Sequence, residues 1–218
     1  NRPVVVLPTG AWLTRPRGGL RTKRSATVVG DPQLGADWVM LPGAREEAER
    51  VGRLYNADTL MGANATEAAI RKSIGSGVQV LHLATHGLFD ARDPLASAIL
   101  VSGPDGPSSI TAARLFEAPL KAELVVLSAC ETGLGHATAG DDFLGLARSF
   151  YLGGARAVMN SLWPVHDKPT RTFMIVFHEK ARNGNFGQAW LAARDKLKAA
   201  GLPPSIYGAF VLGGAARI

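Results

Sequence analysis

Cysteine is almost missing from this 218-residue chain, where Cys130 is the single one. One thiol can build neither a disulfide framework nor an all-cysteine metal cage, and it is compatible with a reducing compartment. Long apolar runs are lacking too. No stretch reaches the ~18–20 residues of a membrane span and no signal-peptide core opens the sequence, so no membrane partner is expected and a cytoplasmic setting is. Phosphate-cradling loops are also absent. Neither G-x-x-x-x-G-K-[ST] nor a strand-linked G-x-G-x-x-G occurs, which counts against a nucleotide-binding α/β domain.

What is present is apolar periodicity nearly end to end, with 46% hydrophobic residues, enough to bury one sizeable core. The first residue is Asn1, so a segment of a longer protein is expected. The excess of basic charge, 24 Lys+Arg against 18 Asp+Glu, is uneven. Arg15, Arg17, Arg21, Lys23 and Arg24 cluster beside Pro16, Gly18 and Gly19. With no aromatics interleaved to stack on bases, residues 1–24 read as a basic arm or partner-contact segment rather than a nucleic-acid arm. Residues 25–218 then form the folded domain.

In that domain strands and helices alternate. Residues 26–30 read as a buried strand closed by the Gly30-Asp31-Pro32 turn signal, and residues 43–55 as an amphipathic helix. A short strand at 59–62 precedes a helix capped by Asn64, with Glu67 three residues on. Strong strands follow at 78–85 and 123–128, with others at 98–101, 155–160 and 207–212. Helices are expected at 110–116, 141–152, 168–182 and 186–199. The central strands lack in/out alternation, the mark of a parallel sheet covered on both faces. The expected fold is an α/β three-layer sandwich with a mostly parallel sheet of about six strands.

In open α/β sheets, sites form at the carboxyl ends of the strands. His86 follows one strong strand and Cys130 follows the next. If those strands are parallel neighbours, an imidazole and a thiol from 44 positions apart converge on one edge. A thiol of ordinary pKa ~8.5 is only slightly ionised near neutrality, so a neighbouring base makes it a nucleophile. Gly87 brings an N–H without a Cβ close to a substrate carbonyl, and the Cys130 N–H is the natural second oxyanion donor. Taken singly, a lone Cys or His is more often structural. Their joint placement favours nucleophilic catalysis.

The residues around this pair resemble a known family. Residues 81–87 (L-H-L-A-T-H-G) and 127–133 (L-S-A-C-E-T-G) are similar to the two signature motifs of CHAT domains, caspase- and separase-related proteases. The likeness continues through residues 145–148, 153–158, 161–165 and 209–213, and upstream through 28–32 and 41–44. It implies a caspase-like cysteine endopeptidase with His86 as general base and Cys130 as nucleophile. The histidine-before-cysteine order agrees with the caspase spacing of ~50 residues. A protein or peptide substrate is implied, with control from an upstream module or activating partner in bacterial signalling or defence.

Separases take a basic P1 side chain into an acidic pocket. Their W-D-V-T-D-K segment is similar to residues 163–168, which makes Asp167 the candidate pocket carboxylate and Trp163 a candidate cleft wall. Pro164 and His166 depart from that pattern. Asp141, with Asp142, is the reserve acid. The rival reading is a catalytically silent caspase-like interaction domain. No metal or cofactor is expected: His82 and His86 have H-x-x-x-H spacing on a strand without the Glu of a zinc helix. His82 reads as a core histidine, Trp190 as core, and His136 and His178 as surface residues.

Overall fold

A computed structural model of the chain describes residues 25–75, 77–88, 90, 92–93, 95–117, 120, 122–128, 141–163 and 166–214. Cys130, Glu131, His136 and the 1–24 segment lie outside the described residues, as do the side chains of Asp141 and Asp142.

The elements in chain order are β1 (Ala26–Pro32), α1 (Pro42–Tyr55), β2 (Thr59–Gly62), α2 (Glu67–Ile74), β3 (Val78–Ala84), β4 (Gly87–Leu88), β5 (Ala98–Ser102) and β6 (Pro107–Thr111). Then come α3 (Ala112–Glu117), β7 (Ala122–Leu127), α4 (Asp141–Leu152), β8 (Ala157–Ser161), α5 (Asp167–Ala181), α6 (Phe186–Ala199), α7 (Pro204–Tyr207) and β9 (Phe210–Gly214). A six-stranded sheet runs β2-β1-β3-β7-β8-β9, parallel throughout except for β9 against β8. The expected mostly parallel sandwich is thus the fold observed.

Alternate residues of the strands feed two cores. Leu81, Leu83, Val125, Leu127 and Val158 face α2, α3 and α4, where Ile70, Leu115 and Phe150 meet them. Val80, Leu124, Val126 and Met159 face α1, α5 and α6, against Val51, Phe173, Phe177 and Leu197. Because both faces are dry, the strands read as continuous apolar runs. One tight approach is at Gly30, where a Cβ would overlap the Ala48 methyl and lie 2.9 Å from the Ala44 carbonyl oxygen.

Four expectations change. Residues 107–111 form strand β6, antiparallel to β5, so the helix expected from 110 begins only at Ala112. Cross-strand pairing with β5 outweighs the helical spacing of Ile110 and its followers. The helix cap is Thr66, whose hydroxyl accepts from the Ala69 N–H, and not Asn64. Tyr207 ends the short α7 instead of opening the last strand. His178 is fully buried rather than at the surface.

His178 belongs to a buried chain. Glu47 Oε1 lies 2.9 Å from His82 Nε2, His82 Nδ1 lies 3.0 Å from His178 Nε2, and His178 Nδ1 lies 3.3 Å from the Tyr55 hydroxyl. With His178 neutral, one set of protons satisfies every link: Tyr55 donates to His178, His178 to His82, and His82 to the Glu47 carboxylate. The chain ties α1, β3 and α5 together, and burial confirms His82 as a core histidine. Burial first, and then the neighbouring His82, hold the His178 pKa well below the ordinary imidazole value.

Two outcomes follow from this packing. The unfolded chain takes up a proton on His178 near pH ~6.5 that the folded state refuses, so its stabilisation is complete above that pH and lost below it. Urea unfolding should therefore show a lower midpoint at about pH 5.5 than at about pH 7.5, with a slope of up to ~1.4 kcal/mol per pH unit. Gly30→Val should cost about 1–3 kcal/mol by overpacking α1 against β1, read in the same melts at neutral pH.

Candidate functional site

The site is a rim. Strands β1, β3, β7 and β8 are parallel neighbours, so their carboxyl ends share one edge of the sheet. Leu83 of β3 is in register with Leu127 of β7. His86 follows Leu83 by three residues, and Cys130 follows Leu127 by three in the sequence.

His86 is almost entirely buried. Its Nε2 lies 2.8 Å from the Val39 carbonyl oxygen, an acceptor only, so Nε2 carries the hydrogen. The neutral ring then offers its lone pair at Nδ1, which is buried and has no hydrogen-bond partner among the described residues. Leaving a buried nitrogen without a partner costs about 1–3 kcal/mol. The Trp38 indole packs against the ring at a tilt, centroids 5.4 Å apart and planes 51° from parallel.

The bend between β3 and β4 is clamped by Leu100 of β5. Its N–H donates to the His86 carbonyl at 2.9 Å, and its carbonyl accepts from the Thr85 hydroxyl at 2.7 Å. With the Leu100–His86 bond in place, Gly87 and Ile99 form a non-hydrogen-bonded pair. The Gly87 N–H is therefore not taken by β5.

Residues 32–41, the loop that supplies Val39, are fastened by Asp31. The register of β1 on β2 slips between Gly30 and Pro32, a bulge that leaves Asp31 at φ 45°. This left-handed conformation is one that Asp tolerates better than most residues. The Asp31 carboxylate accepts from Arg45 Nε at 2.9 Å and from the Leu41 N–H at 3.4 Å, closing the loop on the first turn of α1. The sequence showed Gly30-Asp31-Pro32 only as a turn. The apolar run Trp38-Val39-Met40-Leu41 inside a loop was the signal that more was built here.

Asp167 opens α5 at the end of the loop after β8. Its carboxylate packs onto the first turn of α1, where a Cβ at Gly43 would overlap both oxygens. There the positive end of α1 stabilises an anion. Asp167 is exposed and enters no ion pair among the described residues. Trp163 is 38% exposed, and its indole N–H donates to the Ser205 carbonyl at 2.7 Å. Trp190 packs against the core with its N–H on the Phe210 carbonyl. Among the described residues no group of His, Cys, Asp or Glu could hold a metal ion, and no helix is long and apolar enough to cross a membrane.

Comparison with known proteins follows the same lines. The CHAT domain family model matches residues 1–200. Tetratricopeptide repeat protein 28 of Mus musculus is 26% identical over 212 residues, covering 79% of this chain and 9% of that protein. The Homo sapiens protein of the same name is 26% identical over 216 residues, covering 79% of this chain and 8% of its own length. This chain thus spans about a tenth or less of these curated relatives. Among solved structures, the Arg-specific cysteine proteinase gingipain R superposes with TM-score 0.52 at 13% identity, over 99% of this chain and 49% of that one. The complex of the pro- and mature domains of the Porphyromonas gingivalis enzyme gives 0.56 at 11% identity, over 100% and 51%. At such identities the likeness is one of fold.

Removing the Asp31 carboxylate should free the loop that holds His86. Asp31→Ala is expected to make residues 32–41 several-fold more susceptible to limited proteolysis, mapped by mass spectrometry, while the global unfolding midpoint falls by less than the Gly30→Val variant's.

Proposed function

Since the chain belongs to the CHAT domain family, we propose that it is a caspase-like cysteine endopeptidase working through His86 and Cys130. The observation that carries this reading is the register of Leu83 with Leu127, together with a buried imidazole nitrogen that lacks a partner among the described residues. Three residues of chain reach at most about 11 Å, so His86 and Cys130 are both tethered to the ends of adjacent strands.

The steps use only these groups. His86 Nδ1 takes the thiol proton of Cys130, and the sulfur attacks the peptide carbonyl carbon. The oxyanion accepts from the N–H groups of Gly87 and Cys130. His86 returns the proton to the leaving amine as the C–N bond breaks, giving a thioester. A water, deprotonated by His86, then attacks the thioester carbon; as the C–S bond breaks, His86 returns the proton to the sulfur, releasing the acid and the free thiol. The Val39 carbonyl holds the ring in the required tautomer throughout. An Asp167 carboxylate that is exposed and unpaired among the described residues supports a basic P1 preference. Control by an upstream module or partner, and a role in bacterial signalling within the cytoplasm, complete the reading.

Cleavage of a peptide library by wild-type protein, Cys130→Ala and His86→Ala tests it. Cys130→Ala should abolish turnover, and His86→Ala should lose about 10²–10⁴-fold, with unfolding midpoints retained. Asp167→Asn should weaken cleavage after Arg or Lys by about tenfold relative to neutral P1 residues. Turnover surviving in Cys130→Ala would remove Cys130 as the nucleophile, and none in the wild type with its partner would leave the interaction-domain reading in its place.

A further inference from the structure

We propose that the cavity walled by residues 32–41 is a substrate subsite for a large apolar side chain flanking the scissile bond. The assignment rests on the protease reading and specifies part of its substrate class.

The cavity, about 340 Å³, opens on the rim with His86 as one of its walls. Its apolar lining comes from Pro32, Leu34, Trp38, Val39, Met40 and Leu41. The two charged residues that line it, Asp31 and Arg45, are bonded to each other at 2.9 Å, so no unbalanced charge faces an occupant. This volume lies at the small end of ligand pockets, ~300–1,000 Å³, and is ample for one large side chain. Val39 and Met40, adjacent on the rim, are 76% and 74% exposed. Single exposed apolar residues are ordinary; two side by side at the mouth of an apolar cavity form a binding edge.

Position ties the cavity to the reaction. The Val39 carbonyl that orients His86 belongs to the same loop, and Trp38 touches both the imidazole and the cavity. An extended peptide advances about 3.3 Å per residue with side chains alternating in direction. A side chain seated here therefore belongs to a residue within one or two of the bond presented to His86. This pocket is separate from Asp167, which does not line it.

The test is a peptide series in which each position within two residues of the cleaved bond is Gly, Ser, Leu or Phe in turn. For the wild type, one position should favour Leu or Phe over Gly by about tenfold in kcat/KM. That ratio should fall close to unity in the Val39→Ser/Met40→Ser double variant, whose altered side chains are exposed. No apolar preference at any position, or one unchanged in the double variant, overturns the subsite. If nothing is cleaved even with the activating partner present, the protease reading fails, and the cavity is then read by calorimetry on the Cys130→Ala protein. Tighter binding of Leu and Phe peptides than of Gly peptides, abolished by the two Ser substitutions, supports the cavity; equal binding overturns it.

Discussion

A parallel sheet must be covered on both faces, and each crossover helix returns the chain so that the next strand points the same way. Here that constraint gathers the carboxyl ends of β1, β3, β7 and β8 on one rim, and the candidate site is drawn from what lies just past those ends. β1 contributes a bulged acid and an apolar loop, β3 an imidazole, and β8 leads to the acid that opens α5. The helices add their positive ends to the same edge, and the Asp167 carboxylate, unpaired among the described residues, packs over the first turn of α1. The rim depends on the cores beneath it: register is fixed because a slip of one residue would exchange the two apolar faces.

Loop and imidazole form one mechanical unit. Asp31 fixes residues 32–41 to α1, Val39 of that loop fixes the His86 ring, and Leu100 fixes the His86 backbone. The imidazole is thus held from two sides, by hydrogen bonds that leave Nδ1 without a partner among the described residues. Preorganisation of this kind lowers the reorganisation needed when a proton moves.

Much of this was legible from residue order. The alternation of strands and helices, the dry central strands and the two loop motifs led to the sandwich and to the CHAT family. The β2 and α6 boundaries read from periodicity coincide with those observed. What stayed hidden was non-local. β4 has two residues and β6 is half exposed, so neither carries a pattern of its own; both exist because β5 pairs with them. His178 sits on an amphipathic helix like many exposed histidines, and its partner His82 is 96 positions away. The part of Val39 in holding His86 is played by a backbone carbonyl, which no side-chain motif encodes. Cys130, named from sequence, falls outside the described residues.

The Glu47–His82–His178–Tyr55 chain begins and ends on α1, passing through β3 and α5 on the way. Each interior member both gives and receives, so replacing one strands a donor on one side and an acceptor on the other, deep in a dry core. A half-built circuit therefore costs about 1–3 kcal/mol for each group left without a partner. Across relatives, these four positions are expected to co-vary as a block, either retained together or exchanged together for hydrocarbon, and to resist drifting one at a time.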